Sequence, residues 1–143
     1  EILDRGLPSP GAIGMFCAGA ANYMLGDSSY IGSAIMGLEH KAATFRDHRY
    51  FRNEDMDNPK IFPAQSSNIL KYFPPSILIT GTRDYAMSSV LATHKQLTKL
   101  GVKAELHVWD GLEHGFHLNP FLPESKEAYH VIVNFFDEYL GIK

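Results

Sequence analysis

Ser76-Ile77-Leu78-Ile79-Thr80-Gly81-Thr82-Arg83-Asp84 is an apolar run that ends on a glycine-containing turn and an acid. A second such stretch follows, Ala104-Glu105-Leu106-His107-Val108-Trp109, continued by Asp110-Gly111-Leu112-Glu113-His114-Gly115-Phe116. Short apolar runs of this kind are expected of parallel strands covered on both faces. With the run from Ala12 to Ala18, they give three predicted strands: residues 12–18, 76–80 and 104–109. Asp84 and His114 then leave the carboxyl ends of two strands, where open parallel sheets present their reactive groups. Their separation of thirty residues leaves room for the crossover that neighbouring parallel strands require.

That crossover is legible. Met87, Val90, Leu91, His94 and Leu97 recur at helical spacing, and Gly101 supplies a stop. After the third strand, Tyr129, Ile132, Val133, Phe136 and Leu140 form one apolar stripe, with Glu124 and Glu127 near the start, where a helix dipole favours anions. Strand, helix, strand, helix is a βαβα unit, right-handed by the general rule for parallel crossovers. The 104–109 strand alternates in polarity, as a strand at the sheet's rim does. Between residues 20 and 73 the pattern is weaker: 37–51 is compatible with a helix, and 53–65, with Asn58-Pro59 and Phe62-Pro63, reads as a long irregular connection. No internal repeat or low-complexity tract interrupts the chain, and residues 1–143 are expected to form a single domain.

Composition narrows the function. A chain of 143 residues, 45% of them apolar, is long enough to bury a core, and its net charge of −3 offers no footprint for nucleic acid or anionic lipid. No apolar run approaches the ~20 residues that span a bilayer. Glu1-Ile2-Leu3-Asp4-Arg5 lacks a cationic region followed by an apolar one, so no secretory signal is read there, and a cytoplasmic location is favoured.

These motifs resemble the C-terminal part of the α/β-hydrolase fold, in the esterase branch similar to hormone-sensitive lipase. The resembling stretch begins at Leu7-Pro8-Ser9-Pro10-Gly11-Ala12-Ile13-Gly14, resumes near Asp57-Asn58-Pro59, and is strongest from Phe73-Pro74-Pro75-Ser76 onward. The resemblance implies an α/β portion with about three mainly parallel strands, crossover helices and a long C-terminal helix. It also implies a serine carboxylesterase or lipase chemistry on small-molecule esters, with Asp84 orienting His114 and His114 activating a serine. No organic cofactor or metal is implied, because triad chemistry uses side chains and backbone donors alone. The family's oxyanion segment and its Gly-x-Ser-x-Gly nucleophile turn are not found in the sequence and are expected before Glu1.

Several residues invite rival readings. Gly26-Asp27-Ser28-Ser29-Tyr30 begins like a nucleophile turn, but Tyr30 stands where a close backbone approach needs glycine, so Ser28 reads as a loop or helix-capping serine. Cys17 is the only cysteine; it forms no internal disulfide and reads as a small buried apolar residue rather than a thiol nucleophile. His107, Asp110, Glu113, His114 and His117 include metal-ligand types, yet their spacing across a strand and past Gly115 does not converge on a zinc-like site. His94 reads as a packed histidine donating to a carbonyl. Asp84 has a bland alternative as a helix cap or turn closer, and His114 as an unpartnered loop residue. Phe116, Leu118 and Phe121 either border an acyl or alcohol pocket or serve as packing.

Two other function classes stay open at this level. One is a catalytically silent hydrolase portion that associates with further copies through the unpaired strand from Ala12 to Ala18. The other is an independent α/β binding domain.

Overall fold

A computed structural model of the chain describes residues 2, 5–35, 37, 51 and 54–141. Most of the helix expected over 37–51 lies outside the described residues. Three strands, β1 (Ile13–Phe16), β2 (Ser76–Arg83) and β3 (Ala104–Glu113), pair in parallel in the order β1-β2-β3. Around them lie α1 (Ser28–Ile35), α2 (Ser67–Leu70), α3 (Met87–Lys99) and the long C-terminal α4 (Pro123–Leu140). Among the described residues β3 lies at one rim of the sheet, in keeping with its alternating polarity, and β1 forms the opposite edge.

β2 is the centre of the molecule: residues 76–81 are all buried. Because successive strand side chains point to opposite faces, its apolar run feeds two cores. Ile77 and Ile79 pack with Phe116, Ala128, Ile132 and Phe135, so α4 covers one face. Leu78 packs with Leu70, Val90 and Leu97, so α2 and α3 cover the other. This double cover explains why the run lacks polar alternation.

The helices keep part of the face expected from the sequence and rotate away from the rest. In α3, Val90 and Leu97 are buried as expected, but Leu91 is exposed at 38%, and Ser89 and Thr93 turn inward beside them. Hydrogen bonds decide this: Ser89 Oγ donates to the Ala21 carbonyl at 2.6 Å, and Thr93 Oγ1 accepts the Ala21 N–H at 3.1 Å. In α4, Tyr129, Val133 and Leu140 are exposed, while Ser125, Ala128, Ile132 and Phe135 are buried. The short side chains of Ser125 and Ala128 permit close approach, and Ser125 Oγ donates to the Phe116 carbonyl at 2.8 Å.

β2 and β3 also run further than their apolar stretches, to Arg83 and Glu113. Over this extension the register slips: Gly81 faces Trp109, but Arg83 faces Glu113. The surplus residues of β3 form a bulge in which Gly111 takes a φ of 74°, a conformation that glycine adopts without penalty. Thr82 Oγ1 holds the bulge by accepting the Gly111 N–H at 2.7 Å and donating to Asp110 Oδ1 at 3.0 Å. Gly81 lies so close beneath it that a Cβ there would be driven into the Leu112 carbonyl. Gly81→Ala is therefore expected to destabilise the fold by about 1–3 kcal/mol, read as a lowered urea midpoint; an unchanged midpoint would show that the bulge yields freely.

Candidate active site

The bulge delivers His114 directly after β3, opposite the end of β2. Asp84 follows β2 at once and is fully buried, whereas the His114 side chain is 40% exposed. The imidazole Nδ1–H donates to Asp84 Oδ1 at 2.8 Å. The same oxygen accepts the Ala86 N–H at 2.8 Å, and Oδ2 accepts the Thr80 hydroxyl at 2.8 Å. Asp84 thus closes the turn into α3 and also accepts the His114 N–H, so the turn-closing role does not exclude the pairing with His114. Burial opposes ionisation of this carboxyl, but the hydrogen bonds from His114, Ala86 and Thr80 outweigh it and bring Asp84 below the usual carboxylate range.

Cys17 lies beside this pair. It directly follows β1, is buried, and adopts a φ of 51°, a left-handed conformation that costs a non-glycine residue roughly 1–3 kcal/mol. Its Sγ accepts the Gly115 N–H at 3.3 Å, which fastens the turn behind His114 to the end of β1. Ligand-type atoms of Cys17, Asp84 and His114 all fall within 4.8 Å of one another. They are poorly disposed toward a metal: the carboxylate is committed to three donors, and burial pushes the thiol up to about 12. The same value leaves the thiolate, the nucleophilic form, scarcely populated at neutral pH.

The remaining candidates find other partners. Ser28 is the first residue of α1 and is buried; its hydroxyl donates to the Tyr85 carbonyl at 2.8 Å and accepts the Ser88 N–H at 2.9 Å. His94 Nε2 lies 3.2 Å from the Ala104 carbonyl, the packed role expected of it. His107 pairs with Glu105 at 3.4 Å, and Asp110 with Thr82, so the ligand types around β3 do not converge. His117 Nδ1 is 3.9 Å from Cys17 Sγ, and burial, then His114, lowers the His117 pKa. Leu118 and Phe121 are exposed at 73% and 92%, while Phe116 is a core residue. A cavity of about 360 Å³ opens beside His114, lined among others by Ile35, Arg83, Leu112, Glu113 and Phe116.

Thr80 and Tyr85 are the participants that sequence reasoning missed. Thr80 sits inside the apolar run and reads there as strand. Tyr85 stacks on His114, with ring centroids 4.3 Å apart, and its hydroxyl lies 3.2 Å from Nε2. Its position next to Asp84 was the only available signal.

Because the folded carboxyl of Asp84 titrates below its unfolded value of ~3.9, the stability it contributes is present above that value and is lost as pH falls through the folded one. Unfolding free energy measured by urea across acid pH is expected to fall below about pH 4, and to fall less steeply in Asp84→Asn. Superimposable pH profiles would overturn this.

A family profile described as alpha/beta hydrolase fold matches residues 1–118. No curated protein matches the chain. Among solved structures, esterase E25 is 30% identical with a TM-score of 0.78, over 96% of this chain and 43% of that one. An esterase/lipase from an uncultured bacterium is 26% identical with a TM-score of 0.77, over 96% and 46%. An esterase from the bacterial hormone-sensitive lipase family shares the fold at 22% identity and a TM-score of 0.80, over 96% and 46%. The chain thus spans less than half the length of the structures it matches. With its parallel sheet, its covered faces and the match over residues 1–118, the chain belongs to the α/β-hydrolase fold family.

Proposed function

We propose that Asp84 and His114 are the acid and base of a Ser-Asp-His triad in a carboxylic ester hydrolase of the esterase or lipase type, with the serine on a Gly-x-Ser-x-Gly turn upstream of Glu1. Residues 1–143 would then be one unit of a larger hydrolase domain. The observation that carries this reading is the 2.8 Å bond between a buried Asp84 and a half-exposed His114 at the ends of adjacent parallel strands. An ionised Asp84 holds the imidazole with its proton on Nδ1, which leaves Nε2 as the base. His114 takes the serine proton as the hydroxyl attacks the ester carbonyl and returns it to the departing alcohol. Asp84 stabilises the imidazolium between those two steps. The 360 Å³ cavity beside His114 is of a size for a small ester.

A longer product carrying the serine turn is expected to take one fluorophosphonate adduct per chain and to hydrolyse p-nitrophenyl butyrate. His114→Ala should lose roughly 10²–10⁴-fold in kcat/KM, and residues 1–143 alone should take no adduct. Full turnover in His114→Ala, or a stoichiometric adduct on residues 1–143, sinks the assignment.

The edge of β1, open among the described residues, supports a second reading, in which the chain alone is catalytically silent and associates through this strand. An unpaired strand edge is a template for another copy. Light scattering at micromolar concentration is expected to show oligomers or aggregates; a monodisperse monomer contradicts the association.

A further inference from the structure

The contact between Tyr85 and His114 has a geometry that assigns it a role. The two rings are inclined by only 25°, with centroids 4.3 Å apart. The phenol hydroxyl also lies 3.2 Å from Nε2, within hydrogen-bond reach, so the tyrosine meets the imidazole with both its ring and its hydroxyl. Tyr85 is itself held: its carbonyl accepts the buried Ser28 hydroxyl, and the Ser28 hydroxyl in turn accepts the Ser88 N–H in the first turn of α3.

We propose, on the reading that His114 is the base, that Tyr85 is a positioning residue whose ring clamps one face of the imidazole and fixes its plane while Asp84 fixes its Nδ1 edge. Without a stack, a half-exposed imidazole keeps one hydrogen bond as a hinge and swings about it. With the stack, both its direction and its plane are set. The phenol face also suits the reaction: aromatic faces carry a negative quadrupole and attract cations, so the clamp tightens when His114 becomes an imidazolium. An interaction stronger in the charged state than in the neutral one accelerates proton transfer rather than mere binding. Burial, then the nearby Asp84, pushes the Tyr85 phenol above its ordinary value, so the ring acts as a neutral face. Among the described residues, Asp84, Cys17 and His117 lie close to the imidazole, and Arg83 and Glu113 line the same cavity.

The test is proton NMR, with histidine-selective isotope labelling, of the longer product that carries the serine turn. The His114 Nδ1 proton, assigned by its loss in Asp84→Asn, is expected at low field and slow to exchange with water. The His114 carbon-bound ring protons are expected to be displaced upfield by the Tyr85 ring current. Tyr85→Phe should keep both signatures. Tyr85→Leu and Tyr85→Met should lose the upfield displacement and broaden the Nδ1 proton into exchange, with dispersed methyl signals showing that the fold persists. The clamp is overturned if both aliphatic variants keep a sharp Nδ1 proton, or if Tyr85→Phe loses it. Should the aliphatic variants not fold, the unsubstituted chain still decides: ring protons of His114 at random-coil positions refute the stack. These signals do not depend on ester turnover, so failure of the hydrolase reading and failure of the clamp are separable.

Discussion

A carboxylate with no exposed surface has to be satisfied on every side, and Asp84 is the point at which this chain meets that demand. A buried charge left unpaired would be expelled or neutralised, at a cost of several kcal/mol. Here the charge collects a strand hydroxyl, the amide that opens α3, and the imidazole of a loop thirty residues away. Each donor comes from a different part of the fold. The carboxylate therefore joins the end of β2, the start of α3 and the end of β3 in one small polar cluster.

The surrounding architecture can be read as the means of bringing those donors together. β2 is covered on both faces, so its direction is fixed by packing on α4 from one side and on α2 and α3 from the other. β3 does not pair regularly up to the carboxylate: its register with β2 shifts between Gly81 and Arg83. Its bulge, stabilised by Thr82 and admitted by the absence of a side chain at Gly81, brings His114 to the Asp84 carboxylate. On the third side, Cys17 accepts the Gly115 amide and keeps the turn after His114 from drifting.

Small polar residues matter here as much as apolar ones. Ser28, Ser89, Thr93 and Ser125 are all buried, and each bonds through its hydroxyl to a backbone group of another segment. Ser89 and Thr93 dock α3 on the turn after β1, and Ser125 docks α4 on the turn after His114. Thr93 does both jobs at once, donating to Ser89 within its helix while accepting from Ala21. Such bonds set helix rotation, which is why Leu91 and Tyr129 face outward although apolar periodicity points them inward.

What the sequence determined by itself was the order and type of the main elements, and it singled out Asp84 and His114 as the proposed acid and base. Continuous apolarity in Ile77-Leu78-Ile79, glycine stops and helical spacing are local signals, and local signals survive without knowledge of neighbours. Between Ala20 and Phe73 the sequence was less legible, and the described residues Ala21 and Ser28 there bond to Thr93, Tyr85 and Ser88, 57 to 72 positions away. Only the tertiary structure decided that Asp84 and His114 meet at 2.8 Å, that Thr80 and Tyr85 complete their surroundings, and that Cys17 stands among them. Those contacts join residues up to about a hundred positions apart. Their geometry depends on a register shift and on helix rotations fixed by buried hydroxyls, neither of which leaves a periodic trace in the chain.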